Sequence, residues 1–271
     1  MINNIIYFFL ISNILSGQCS GCNENFQNIN IWNIKNNCSQ IVKHYNDCSL
    51  LDFFNLIDKD KLSNYLDLGS QRWEDGILKY FYFFDNSYTI DEASLSSLNN
   101  VKYLFIDGTP IQINSQIHKI SFKSEYLLLR QNNMKIPLKN ITFTDSLKYI
   151  SLDENEFFGE FPEALLAIPN LYNLSVEFNN LTGKFPKYIP NETSLNILTI
   201  NNNQLEGLLP ESICELTELK ILHLQYNNFT NIPECICDMN KKGVEIELYG
   251  NNICSNIPDC AESFIGFQNC Y

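Results

Sequence analysis

The sequence predicts a solenoid in which strand-bearing repeats stack over one continuous core. Three observations lead there. One apolar frame recurs at a spacing of 23–24 residues, an asparagine holds the same place in nearly every copy, and residues 49–213 contain no cysteine although both ends are rich in it. A period of this length marks repeat architectures, whose units cannot bury their apolar faces alone.

Taken from the start, Met1 to Gly17 contains no charged side chain and holds the apolar run Ile5-Ile6-Tyr7-Phe8-Phe9-Leu10-Ile11. Small residues Ser16 and Gly17 follow, which predicts a signal peptide over 1–17, although no Lys or Arg precedes the run. The run falls short of the roughly 20 residues that a membrane-spanning helix needs, and no later stretch is long enough. The ending, Ala261 to Tyr271, is neither a lipid-anchor nor a retention signal. The expectation is a secreted chain without a membrane span.

Residues 18–77 read as an N-terminal cap. They carry Cys19, Cys22, Cys38 and Cys48, and Leu50-Leu-Asp-Phe-Phe-Asn-Leu-Ile57 has the pattern of a short amphipathic helix. Leu66-Asp67-Leu68 is placed as an unpaired first strand. Cys214, Cys235, Cys237, Cys254, Cys260 and Cys270 form the second cluster. Two even-numbered clusters in a secreted chain predict disulfide-stapled ends. Zinc is the rival, but only Cys19-x-x-Cys22 has ligand spacing and no second such pair follows. No metal and no cofactor is expected.

The repeats occupy 78–258, with 259–271 as a C-terminal cap whose cysteines begin within the last repeats. Segments starting at Leu147, Leu171, Leu195 and Leu219 read Leu-x-x-Leu-x-Leu-x-x-Asn-x-Leu, with related apolar residues allowed. The frame continues at Gly243 and runs back through Ser124, Val101 and Leu78, which makes eight repeats. Slots four and six, from Phe81/Phe83 to Ile246/Leu248, alternate at period two and so face inward from a short strand. Slot nine holds Asn86, Thr109, Asn132, Asn155, Asn179, Asn203, Asn227 and Asn251. A buried Asn offers two donors and an acceptor, so this column is expected to bind turn backbone rather than ligand. After slot eleven, Gly159-Glu-Phe-Pro162, Gly183-Lys-Phe-Pro186 and Gly207-Leu-Leu-Pro210 recur. Glycine admits the unusual backbone angles of a turn and proline directs the chain out of it.

These motifs resemble the extracellular, plant-type leucine-rich repeat (LRR) proteins, such as polygalacturonase-inhibiting proteins and the ectodomains of LRR receptor-like proteins. The resemblance covers about 78–258 and is strongest from Leu147 to Pro210. The first three repeats lack Gly-x-x-Pro. It implies an α/β solenoid, a curved right-handed superhelix with a parallel sheet on the concave side. It also implies a protein that binds proteins or peptides without catalysis.

The chemistry agrees. With 31 Asp and Glu against 18 Lys and Arg, the net charge of −13 excludes a phosphate-backbone binder and disfavours an anionic membrane surface. His44, His118 and His223 are dispersed, and no nucleophile–base arrangement can be assembled from them; His223, at slot five, reads as an ordinary exposed side chain. Eight strands about 4.8 Å apart give a face roughly 34 Å long. On it, slot three carries Tyr80, Tyr103, Tyr126 and Tyr149, and slot five adds Tyr82 and Phe105. Clustered rigid aromatics anchor protein interfaces, so these are the candidate binding residues. At slot seven Arg130 lies between Asp107 and Asp153, an expected ion-pair ladder, and Asp153, Glu154 and Glu177 form an acidic side.

Six Asn-x-Ser/Thr sequons, at Asn37, Asn140, Asn173, Asn180, Asn191 and Asn228, are candidate glycan sites. Asn173 falls at slot three, where a glycan would confine a partner to the tyrosine-rich half. The expected partner is an extracellular protein or peptide, for an inhibitor, soluble co-receptor or adhesion factor. The alternative is a self-associating component of an extracellular matrix or coat.

Overall fold

The structure, a computed structural model, describes residues 70–74, 77–113, 119–190 and 193–270. The signal peptide, the four N-terminal cysteines, the 50–57 helix, the 66–68 strand, His44, His118, Asn37 and Asn191 lie outside them.

In chain order the strands are β1 (Ser70–Glu74), β2 (Ile77–Phe83), β3 (Ile90–Asp91), β4 (Tyr103–Asp107), β5 (Ile111–Gln112), β6 (Ile120–Phe122), β7 (Tyr126–Arg130), β8 (Ile141–Phe143) and β9 (Tyr149–Ser151). There follow β10 (Phe158–Glu160), β11 (Asn173–Ser175), β12 (Asn180–Lys184), β13 (Ile197–Thr199), β14 (Gln204–Leu208), β15 (Ile221–His223), β16 (Asn228–Asn231) and β17 (Glu245–Glu247). Two short helices, α1 (Glu92–Ser97) and α2 (Ile236–Lys241), are the only α-helices among the described residues. Elsewhere the outer segments use 3-10 turns, and those at 138–140, 163–165, 211–215 and 259–263 each follow a proline. The predicted α/β solenoid is therefore mostly strand.

All eight predicted repeat strands form one sheet, in the order β1-β2-β4-β7-β9-β11-β13-β15-β17. From β2 onward every pairing is parallel and in slot register, as in Leu174 opposite Leu198. The first strand is an addition. β1 pairs antiparallel with β2, with a register shift between Arg72 and Trp73. Its residues carry no repeat frame, so the period does not reveal it. β10, β12, β14 and β16 make a second parallel sheet around slot eleven. There Gly159, Gly183 and Gly207 all have positive φ, as their recurrence requires.

The core matches the periodicity. Every slot-four and slot-six side chain from Phe81 to Leu248 is buried, as are Phe157, Leu181, Leu205, Phe229 and Ile253 at slot eleven. At slot nine, Asn132, Asn155, Asn179, Asn203, Asn227 and Asn251 are buried. Each amide oxygen accepts a backbone N–H of the preceding repeat, and each amide nitrogen donates to slot-six carbonyls. Asn86 corrects the expectation: it is exposed and stands outside the ladder. The column instead begins at buried Thr109, whose hydroxyl accepts the Asp85 N–H at 3.1 Å.

All six C-terminal cysteines pair, as Cys214–Cys235, Cys237–Cys260 and Cys254–Cys270. The first joins the turn at 211–215 to the next repeat, so the staple reaches back into the solenoid rather than sealing its end alone.

Candidate functional site: the concave sheet

Parallel pairing in register places identical slots side by side, so the slot-three tyrosines meet across strands. Ring centroids are 6.3 Å apart for Tyr80–Tyr103, 4.9 Å for Tyr103–Tyr126 and 6.5 Å for Tyr126–Tyr149. Phe105 meets Tyr80 edge-on at 5.6 Å. The rings, with Tyr82, are half-buried rather than exposed, because each covers its neighbour. Tyr172 extends the row, 6.2 Å from Tyr149. Burial, with Tyr126 close by, pushes its hydroxyl pKa up to about 12. Following slot two down the sequence would have exposed Tyr172, since that column reads Lys79, Lys102, Glu125, Lys148, Tyr172.

The same column contains a charge clamp absent from the sequence expectations. Glu125 receives Lys102 and Lys148 at 2.9 Å each, one on either carboxylate oxygen. The bonds from Lys148 and then Lys102, working against burial, hold its carboxyl below the usual range. Lys102 also lies 5.4 Å from the Tyr103 ring centroid, within cation–π reach. The clamp fixes both lysines beside the aromatic row.

The acidic side is divided by burial. Glu154 is exposed and Glu177 half-buried, but Asp153 is buried at 8%. It accepts Ser151 Oγ at 2.6 Å, Ser175 Oγ at 2.5 Å and the Glu177 N–H at 2.9 Å. Thr199 continues the network to Ser175 at 2.7 Å. Burial pushes the Asp153 carboxyl up, and these three donors oppose the shift. Asp153 is thus an internal hub joining adjacent strands, which corrects its placement as a surface carboxylate. The ladder at Arg130 is also one-sided. Arg130 reaches Asp153 at 3.7 Å and Glu154 at 3.4 Å, whereas one buried oxygen of Asp107 has no hydrogen-bond partner.

The sequons separate similarly. Asn180 and Asn228 are exposed on β12 and β16, and Asn140 is half-buried. Asn173 is buried at 8% within the main sheet, so the expected shielding glycan has no room in the folded strand row. His223 is likewise not the ordinary exposed side chain expected: its side chain is 21% exposed and lies 3.4 Å from Glu245.

A parallel sheet backed by a buried asparagine ladder is the architecture of a leucine-rich-repeat solenoid, and this chain has that fold. A family model described as leucine rich repeat matches residues 169–229. No curated protein matches the chain. Among solved structures, a pollen receptor kinase 3 is 21% identical with a TM-score of 0.50, covering 77% of this chain and 97% of that one, and shows the shared fold. In the BIR3–SERK2 complex from Arabidopsis thaliana the matched chain is 26% identical, over 46% of this chain and 68% of that one, with a TM-score of 0.40. The ectodomain of the Arabidopsis thaliana receptor kinase GASSHO1/SCHENGEN3, solved with CASPARIAN STRIP INTEGRITY FACTOR 2, is 25% identical with a TM-score of 0.48. That match covers 64% of this chain and only 21% of the receptor ectodomain.

Proposed function

We propose that the protein is an extracellular binding protein that recognises a protein or peptide on its concave face, without catalysis. The observation that carries this reading is the unbroken row Tyr80, Tyr103, Tyr126, Tyr149 and Tyr172, flanked by lysines that Glu125 holds in place. Rigid aromatics offer large contact area at low entropic cost, and fixed charges add orientation. Glu154 and Glu177 form the accessible acidic margin. Three disulfides support an oxidising, extracellular location. Among the described residues no helix is long and apolar enough to cross a membrane.

The test is capture from extracellular fractions by the tagged chain, followed by binding measurements on the captured polypeptide. Tyr80→Ala/Tyr103→Ala/Tyr126→Ala should abolish binding while leaving the melting transition cooperative. Capture of the chain by itself alone, unchanged in the triple variant, would overturn concave-face recognition in favour of a self-associating coat component.

A further inference from the structure

At the far end of the same sheet, the side-chain chemistry changes. Slot five is Ser151, Ser175 and Thr199 through the middle repeats, then His223 on β15 and Glu247 on β17. Slot three, after the tyrosines, Asn173 and two isoleucines, ends in Glu245. Parallel register sets His223 directly opposite Glu247, with Glu245 two residues away on the same strand face. One donor atom from each of the three side chains lies within 4.8 Å of the others.

We propose that His223, Glu245 and Glu247 form a binding site for a divalent transition ion of the zinc type. Two independent observations support it. First, His223 Nε2 is enclosed yet makes no hydrogen bond, although it stands 3.4 Å from Glu245 Oε1. A buried polar atom without a hydrogen-bond partner calls for an explanation, and a metal ligand is one. The 3.4 Å separation also matches the edge of a zinc tetrahedron, where donors at 2.0–2.2 Å from the ion lie about 3.3 Å apart. Second, the charge is uncompensated. Among the described residues neither Glu245 nor Glu247 forms an ion pair with Lys or Arg, so two carboxylates stand beside the imidazole with no cationic Lys or Arg side chain to balance them.

The donor set selects the ion. One imidazole nitrogen with two carboxylates suits zinc and its neighbours, whereas calcium takes oxygen ligands throughout. Three ligands on rigid neighbouring strands leave a fourth tetrahedral position toward solvent, which a carboxylate or imidazole of a second molecule can complete.

The experiment is calorimetric titration of the disulfide-intact full chain with Zn2+, repeated with Ca2+, together with the visible spectrum of the Co2+-loaded protein. One Zn2+ should bind per chain, Ca2+ should not compete, and Co2+ should show the intense bands of low coordination. His223→Asn, Glu245→Gln and Glu247→Gln should each weaken Zn2+ binding roughly tenfold or more, by analogy with the loss on removing even outer-shell partners. Glu156→Gln, exposed elsewhere, should bind as the parent does. Circular dichroism and the metal-free melting temperature keep loss of folding distinct from loss of the site. Absent Zn2+ binding, or unchanged affinity in all three folded variants, would overturn the site.

Discussion

Tyr226 closes over Gly250, so that a Cβ on the glycine would lie 2.6 Å from Cδ1 of the ring. Phe84 makes the same close approach to Gly108 at the other end of the sheet. Both glycines occupy slot eight, where Gln131, Glu154, Phe178, Asn202 and Tyr226 adopt φ of 51–55° without glycine. Gly250 has a φ of 71°, further into the left-handed region than these, so the ring adds a steric clash to a backbone that already favours glycine.

Gly250→Ala should destabilise the protein by about 1–3 kcal/mol through overpacking. The ring cannot swing aside freely, because Tyr249 and Phe267 hold it at 5.1 Å and 6.2 Å. Gly250→Ala/Tyr226→Ala should show a favourable coupling in a double-mutant cycle measured by urea unfolding. Zero coupling would place the cost in the backbone instead.

Asn203→Ala removes the acceptor of the Leu181 N–H and the donor to the Val176 carbonyl, both buried. A loss of about 1–3 kcal/mol is expected from the orphaned backbone. Asn86→Ala, exposed at the same slot, should stay within about 0.5 kcal/mol of the parent. Equal effects at the two positions would contradict the ladder.

Asp153 gives a signed pH dependence. Burial raises its folded pKa, so the folded chain binds the proton more tightly than the unfolded chain. Its contribution is then most favourable below the unfolded carboxyl pKa of about 3.9 and declines as pH rises through the folded value. The stability of the parent relative to Asp153→Asn should fall across that window, and carboxyl-detected NMR should show Asp153 titrating above the ordinary aspartate value. A constant difference would argue that the carboxylate is not desolvated.

Cys214→Ser/Cys235→Ser opens a bond between cysteines at a sequence separation of 21. A loss of about 2–4 kcal/mol is expected, visible as a lower melting temperature that added reductant lowers further as the other two bonds open.

Glycan occupancy should divide by exposure. In protein expressed through a secretory pathway, Asn180→Gln and Asn228→Gln should each remove one glycan mass, and Asn173→Gln none. A glycan on Asn173 would require β11 to leave the sheet position described here.

Much of this molecule is legible as a pattern because a solenoid makes only neighbour contacts. Residues 24 apart, such as Leu174 and Leu198, become direct partners, so one periodic frame specifies strand, register and core together. The asparagine column followed from the same arithmetic, except at Asn86, where the first repeat has no repeat-type neighbour before it. β1 was invisible because an antiparallel edge strand need not share the repeat frame.

Chemistry on the sheet surface obeys a different rule. Which slots lie side by side follows from the period, and that placed Tyr80, Tyr103, Tyr126 and Tyr149 in one row. Whether a surface-slot residue is accessible depends on the side chains around it, which the period does not encode. Hydroxyls from two strands and a backbone N–H turned Asp153 from a surface carboxylate into a buried hub. Register and one diagonal approach drew His223 toward Glu245 and Glu247, residues 22 and 24 positions away. Periodicity specifies which residues become neighbours, but burial and side-chain direction arise from packing in three dimensions, and those decide what the neighbours can do.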